Sequence, residues 1–171
     1  DNINTYATCY IKTDHECNNY QELVERVRRG MYVHIREGTV SKNLNDLVKG
    51  VSIHNSRKLC LCTDDKHIDD LLKYGSIDNS IRLCIKNGLN AEISIQMGTI
   101  NSAECYGLKN KGAIAPGFIA DFLILDSLHD FKISSVYKNG VLVVKNNILI
   151  NQDKNHFDFN IPTSVKIPNL N

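Results

Sequence analysis

Three short apolar segments, each followed at once by ionisable residues, alternate with helix-like segments over the first 110 residues. The apolar segments span 10–13, 31–35 and 59–63, and the ionisable residues that follow are Asp14-His15-Glu16, Arg36-Glu37 and Asp64-Asp65. Strands that alternate with helices through short connections favour a parallel sheet with right-handed crossovers. The ionisable ends then meet at the carboxyl edge of the sheet, where (β/α) barrels and doubly wound sheets carry their chemistry.

Helical periodicity accounts for the segments between the predicted strands. Residues 20–29 place Leu23, Val24 and Val27 on one face and stop at Gly30, a residue type that commonly ends helices. The same reasoning predicts a short helix over 42–49 and further helices at about 68–74, 78–87, 91–97 and 101–106.

The pattern changes after residue 112, where only strand-like segments remain. Strands are predicted over 118–125, 133–137 and 141–144, with a further short one at 148–150. Asn139-Gly140, between the second and third, is a strong signal for a hairpin turn. We therefore expect an α/β part over 1–112, part of a small all-β domain over 113–150 and a polar tail over 151–171.

Charge and hydropathy exclude several classes of partner. Twenty basic residues against nineteen acidic leave a net charge of +1, so no nucleic-acid partner is expected. The chain contains no apolar run of about 18 residues, so no membrane span is expected. The first residues are polar and lack an initiating Met. We expect Asp1 to be an interior residue of a longer, cytoplasmic protein.

Six cysteines, at positions 9, 17, 60, 62, 84 and 105, require a redox interpretation. They lie in apolar strand-like or helix-like stretches, which favours buried free thiols over disulfides. Cys60 and Cys62 are two residues apart on a predicted strand and so share a face. A metal site at this pair needs two further thiolates or imidazoles, and no second cysteine pair is present.

The ionisable strand ends each have a purely structural interpretation. His15 could be a hydrogen-bonded surface residue, and Asp64-Asp65 could cap the next helix. Three such clusters at equivalent strand ends favour a functional site over three unrelated structural roles. Imidazole and carboxylate are ordinary ligands for Zn²⁺, Mn²⁺ or Fe²⁺. A bound metal lowers the pKa of water, and a neighbouring carboxylate can move its proton. The pattern therefore predicts metal-assisted hydrolysis, with a second carboxylate available to hold a polar heterocycle.

The clusters also resemble, in order and spacing, the adenine deaminases of the amidohydrolase superfamily. The residues that carry the resemblance are Asp14-His15-Glu16-Cys17, Gly30-Met31-Tyr32-Val33, Ile35-Arg36-Glu37-Gly38, Cys62-Thr63-Asp64-Asp65-Lys66-His67, Ala113-Ile114-Ala115-Pro116-Gly117 and Ala120-Asp121. The likeness runs from about residue 3 to residue 146, and the His-Glu and Thr-Asp-Asp clusters are its most discriminating parts.

The resemblance implies an α/β fold made of strands six to eight, with their helices, of a (β/α)₈ TIM-type barrel, followed by part of a small all-β domain. It implies that His15 and Asp64 bind the metal and that Asp64 is also the catalytic proton shuttle. The residues implied to bind the purine are Glu16, Arg36, Glu37 and Asp65. The reaction implied is hydrolysis of adenine to hypoxanthine and ammonia, with Mn²⁺ as the expected cofactor and Fe²⁺ or Zn²⁺ as alternatives.

Other ligands of the resembling family have no counterpart in this sequence. The family has a His-x-His pair after strand one and further ligands after strands four and five, and no His-x-His occurs here. We therefore expect a C-terminal portion whose partners are adenine, the remainder of the enzyme chain and further copies in a homo-oligomer. The isolated chain is expected to be inactive.

Two alternatives remain open. Another amidohydrolase, such as a cyclic-amide hydrolase, would usually keep one Asp after strand eight without the continuation seen over 65–67. The chain could instead be a non-catalytic folding or interaction module.

Overall fold

The computed structural model describes residues 2–150 and contains two β-sheets with a layer of helices. The strands of the first sheet are β1 (Thr13–Asp14), β2 (Tyr32–Arg36) and β3 (Leu59–Cys62), in the order β1-β2-β3. Both pairings are parallel, and Thr13 lies opposite Tyr32 while His34 lies opposite Cys60. The predicted parallel sheet is confirmed, although β1 is shorter and later than the predicted strand over 10–13. The predicted tail over 151–171 lies outside the described residues.

The helices follow the predicted alternation with two differences. Their bounds are α1 (Asn2–Thr8), α2 (Tyr20–Arg28), α3 (Leu44–Leu47), α4 (Ile68–Tyr74), α5 (Ile77–Lys86), α6 (Ala91–Gly98) and α7 (Ile100–Cys105). Helix α1 was not predicted, because it buries no residue and so leaves no apolar periodicity. The predicted helix over 42–49 is α3 alone, continued by a 3₁₀ turn at Val48–Gly50. None of the helices within residues 2–150 combines the length and apolar character needed to cross a membrane.

Side-chain alternation gives the first sheet two distinct faces. The residues packed in the helix-covered core are Val33, Ile35, Leu59 and Leu61. The residues between them are His34, Arg36, Cys60 and Cys62, which point to the opposite face because successive strand residues alternate. Cys60 and Cys62 thus share a face, as predicted.

Free thiols occur at all six cysteines, but Cys9 is exposed, so the prediction of burial is wrong there.

The second sheet is antiparallel and follows the helices. Its strands are β4 (Phe122–Ser127), β5 (Lys132–Lys138), β6 (Val141–Lys145) and β7 (Ile148–Leu149), in chain order. The predicted hairpin is confirmed: Asn139 and Gly140 connect β5 to β6 with φ of 50° and 77°, as a type I′ turn requires.

The strand predicted over 118–125 begins only at Phe122, because the preceding residues form turns. The amide of Phe118 donates to the carbonyl of Ala115, and the amide of Asp121 donates to that of Ile119. The second sheet contacts the helices through Phe131, which is 2% exposed and belongs to the same core as Ile81 and Met97. The division into domains near residue 112 stays a prediction.

Candidate active site

Arg36, the last residue of β2, connects the ends of all three parallel strands. Its side chain is 8% exposed, and its Nη1 donates to Glu16 Oε2 at 2.9 Å and to Asp64 Oδ2 at 3.1 Å. Its Nε donates to Asn43 Oδ1 at 3.1 Å. Burial alone would lower the pKa of Arg36, but the carboxylates of Glu16 and Asp64 outweigh burial and raise it. Three of the predicted site residues therefore form one ion-paired cluster, which we call the Arg36 cluster.

Asp64 reaches Arg36 from an unusual backbone conformation. Its φ is 52°, in the left-handed region that Asp tolerates better than most side chains. The Asp64 side chain is 36% exposed, so one side remains open to solvent. Asp64 lines a cavity of about 220 Å³, whose other lining residues are Thr13, His15, His34, Cys62 and Tyr106.

His15 lines this cavity and comes directly after β1. Its side chain is 52% exposed, and its Nε2 is 3.4 Å from Glu16 Oε1. The turn that carries both residues is fixed by Asp14, which accepts a hydrogen bond from the Glu16 amide at 2.8 Å and pairs with Arg26 of α2. Burial would raise the pKa of Asp14, but these hydrogen bonds lower it. Sequence reasoning missed Arg26, because residue type alone does not show which helix residue reaches a strand end.

Glu37 is not brought to the Arg36 cluster, although it is adjacent to Arg36 in sequence. It follows β2 on the helix side of the sheet and lines a separate cavity of about 190 Å³ with Lys42, Lys66 and Asp70. Burial raises the pKa of Glu37, and the two lysines oppose that shift only in part. Within residues 2–150, its buried Oε2 has no hydrogen-bond partner. Strand alternation explains the separation, since neighbouring residues face opposite sides.

Asp65 also points away from the cavity and instead holds the loop after β2. Its Oδ2 accepts hydrogen bonds from the amides of Val40 at 3.0 Å and Ser41 at 3.4 Å. Burial would raise the pKa of Asp65, but these amides lower it. Gly38 makes the approach possible, because a Cβ there would lie 1.7 Å from Asp65 Oδ1. Helix α4 begins after His67 rather than after either aspartate, so the helix-capping interpretation finds no support.

A second contact joins the same two loops. Thr39 Oγ1 donates to Asp70 Oδ2 at 2.7 Å and accepts a hydrogen bond from the His67 amide at 2.9 Å. The loops after β2 and β3 are therefore fastened together on the side away from the cavity. Sequence reasoning missed Thr39, since a single threonine in a loop carries no recognisable pattern.

The predicted metal ligands His15 and Asp64 line the same cavity, and their imidazole and carboxylate suit Mn²⁺, Fe²⁺ or Zn²⁺. Two side chains are fewer than a catalytic metal site requires. Among residues 2–150, the only group of three or more ligand-type side chains within 4.8 Å of one another is His34, Cys60 and Cys105, which is a different set. His15 and Asp64 thus fit part of a coordination sphere.

Comparison with known sequences identifies one family and a set of similar enzymes. The sequence model of the amidohydrolase family matches residues 2–143. The chain is 51% identical over 144 residues to an adenine deaminase of Bacillus pumilus (strain SAFR-032) and 51% identical over 145 residues to that of Geobacillus kaustophilus (strain HTA426). These alignments cover 84% and 85% of this chain but 25% of each relative. The chain therefore spans about a quarter of the length of these relatives.

Solved structures resemble the fold at lower identity. A β-aspartyl dipeptidase of Fervidobacterium islandicum AW-1 in complex with a dipeptide matches with a TM-score of 0.61 at 22% identity, covering 79% of this chain and 38% of that one. The crystal structure of an amidohydrolase matches with a TM-score of 0.59 at 21% identity, covering 84% and 42%. At these identities the likeness establishes the α/β fold and carries no argument about substrate.

Proposed function

Because the chain belongs to the amidohydrolase family, we propose that it supplies the later part of the catalytic domain of an adenine deaminase, which hydrolyses adenine to hypoxanthine and ammonia. The observation that carries the proposal is the Arg36 cluster, in which Arg36 at the end of β2 pairs with Glu16 after β1 and with Asp64 after β3. Asp64 and His15 line the cavity beside it. The 51% identity to adenine deaminases over most of the chain supports the choice of substrate.

The barrel assignment is part of the same proposal. We assign β1, β2 and β3 to strands six, seven and eight of a (β/α)₈ barrel, and β4–β7 to a small β-domain that begins near residue 113. The parallel order β1-β2-β3, with ionisable residues at one edge, supports this assignment. The length of the relatives supports it as well, since they have room for the remaining strands.

His15 and Asp64 are the proposed ligands of a divalent metal, with Mn²⁺ as the proposed ion and Fe²⁺ or Zn²⁺ as alternatives. When bound, such an ion makes a water molecule acidic enough to ionise near neutral pH. The Asp64 carboxylate then accepts a proton from the attacking water and delivers it towards the departing nitrogen of adenine. Its 36% exposure leaves it accessible from the cavity for that purpose.

Arg36 and Glu16 are proposed to act directly at the purine pocket. Arg36 holds the carboxylates of Glu16 and Asp64 on one guanidinium nitrogen and so fixes their separation. The Glu16 side chain is 65% exposed and can turn towards a polar heterocycle. Asp65 and Glu37 are proposed to affect substrate binding through the loop and helices that they contact, because their carboxylates face away from the cavity.

The test is substrate turnover by the complete polypeptide that contains this chain. We expect adenine to yield hypoxanthine and ammonia, with activity lost on chelation and restored by Mn²⁺. A cyclic amide such as hydantoin serves as the competing substrate and should not be hydrolysed. Hydrolysis of the cyclic amide without turnover of adenine would favour the alternative amidohydrolase activity and refute the proposal.

A further inference from the structure

A second group of potential ligands lies on the cavity side of the parallel sheet, away from the helix-covered core. His34 comes from β2, Cys60 from β3 and Cys105 from the end of α7, and their ligand atoms lie within 4.8 Å of one another. His34 is 7% exposed and Cys60 is fully buried, while Cys105 is partly buried. We call this group the thiol–imidazole cluster. Its three members come from separate elements, so the fold assembles a set that sequence spacing could not reveal.

The donor set favours a soft divalent cation. Two thiolates and an imidazole are typical ligands of tetrahedral Zn²⁺, whereas Mn²⁺ and Mg²⁺ prefer oxygen. Around a tetrahedral Zn²⁺ the donor atoms lie about 3.7 Å apart, so the cluster has to contract by about 1 Å at most. Movements of this size need only small changes of side-chain torsion angle.

A neighbouring ring contacts the imidazole of the cluster. Tyr106 Oη lies 3.1 Å from His34 Nε2, and the two rings are in tilted contact. The Cys60 and Cys105 thiols lie close enough for each to shift the pKa of the other. Ligands held by such outer contacts are typical of metal sites. A water molecule can complete the fourth position.

Burial disfavours the thiolate form of both cysteines when no cation is present. Burial raises the pKa of Cys60 to about 12, and burial also raises the pKa of Cys105. A bound divalent cation replaces those protons and removes the cost of burying unpaired thiols, so binding releases protons and stabilises the fold.

We propose that His34, Cys60 and Cys105 bind one zinc-type divalent cation in a structural site that fastens the end of α7 to the parallel sheet. The site is separate from the proposed catalytic metal site at His15 and Asp64, which offers nitrogen and oxygen but no sulfur. Because His34 lines the cavity of about 220 Å³, a cation can enter from that side.

Cobalt spectroscopy tests the site without relying on deaminase activity. The complete polypeptide that contains this chain is reduced with a phosphine, freed of metal and titrated with Co²⁺. We expect a thiolate-to-cobalt charge-transfer band in the near ultraviolet and strong visible bands of a tetrahedral site, both removed by Zn²⁺. Metal bound at His15 and Asp64 alone would give no such charge-transfer band.

Substitutions identify the ligands. Cys60→Ser and Cys105→Ser should each abolish the charge-transfer band and weaken Zn²⁺ binding at least about ten-fold. Cys84→Ser is the matched control, since Cys84 is a buried thiol in the helix-covered core. Cys62→Ser is the second control, because Cys62 lines the cavity beside Asp64. Both controls should keep the band, and circular dichroism checks that each variant is folded.

Several outcomes would overturn the proposal: no band in the unsubstituted protein, a band that persists in both Cys60→Ser and Cys105→Ser, or a band lost only in Cys62→Ser. Cys105 is only partly buried, so Cys105→Ser tests the site even where Cys60→Ser fails to fold.

Discussion

Asp64 combines the proposed catalytic role with a backbone conformation that costs free energy. A left-handed φ costs a non-glycine residue on the order of 1 kcal/mol, and Asp64 adopts it at 52°. The flanking contacts hold it there: the Glu37 amide donates to the Cys62 carbonyl at 3.0 Å, and Asp65 binds the loop amides. The strained residue is thus supported on both sides, and its carboxylate is directed at Arg36.

Replacing Asp64 by Asn in the complete enzyme should lower kcat by about 10²–10⁴-fold and leave adenine binding largely intact. The amide keeps the shape, tolerates the left-handed backbone and can still accept from Arg36, but it cannot take a proton from water. Steady-state kinetics with a metal count on each variant measures the effect. Asp69→Asn, an exposed change in the first turn of α4, is the control. A near-normal kcat at full metal occupancy would remove Asp64 from the proposed role.

Glu37 should make stability depend on pH. Folding raises the pKa of Glu37, so the folded state favours the protonated form. The stabilisation is complete below the unfolded value of about 4.3 and is lost as pH rises through the higher folded value. Over that rise, the unfolding midpoint of Glu37→Gln should therefore fall less than that of the unsubstituted chain. Thermal unfolding over a pH series measures this, and parallel curves would contradict it.

Side-chain position explains which site residues could be inferred from sequence. The types and order of His15, Glu16, Arg36 and Asp64 pointed to one edge of a parallel sheet, and these residues do lie at one cavity or in contact with it. The same reasoning grouped Glu37 with Arg36, because the sequence does not show that β2 ends at Arg36 and that the next side chain faces the other side of the sheet. Loop contacts such as that of Asp65 depend on backbone amides, which leave no trace in residue type.

At the scale of elements, the loops after β2 and β3 behave as one unit. Asp65 binds the amides of the first loop, and Thr39 binds the second through Asp70 and the His67 amide.

Helices and strands with clear apolar periodicity were predicted within a few residues. The exceptions were α1, which buries nothing, and β4, whose first predicted residues form turns. Apolar periodicity arises where one side of an element is buried, so an element that buries no side chain cannot be predicted from it.

Gly38→Ala should disrupt this unit. An added Cβ would lie 1.7 Å from Asp65 Oδ1 and 2.7 Å from the Thr63 carbonyl oxygen, so the backbone has to move. We expect a loss of about 1–3 kcal/mol in the free energy of unfolding together with reduced kcat/KM for adenine. Gly30→Ala is the control: φ is 81° with nothing within 4 Å, so it costs stability through backbone conformation alone and should spare kcat/KM. Equal losses of kcat/KM in both variants would argue against a shared loop unit.

At the scale of the whole molecule, the first sheet is open at both sides within residues 2–150. β1 and β3 are edge strands in the order β1-β2-β3, and unpaired edges favour association with further strands. A groove of about 590 Å³ between the helices and the second sheet is lined by apolar side chains such as Ile95, Phe122 and Leu125.

Sequence patterns predicted the α/β class and the change to β structure. The proposed number of barrel strands rests only on the family resemblance, because apolar periodicity does not report strands that lie outside the chain.

The isolated chain should release no ammonia from adenine. Catalytic metal sites need about three protein ligands and an open position, and the proposed ligands here are His15 and Asp64. The measurement is ammonia production by residues 1–171 with added Mn²⁺, compared with Mn²⁺ alone. Turnover well above the metal blank would show that the chain is catalytically sufficient.

The alternation along β2 also limits how sequences of this kind can vary in length. One extra codon within the strand would exchange its two faces, sending the side chains of His34 and Arg36 into the apolar core and core residues into the cavity. An extra codon in the connection between α3 and β3 leaves each strand side chain on the same face of the sheet. Insertions and deletions are therefore expected mainly in the connecting segments, while β2 itself is expected to vary by substitution.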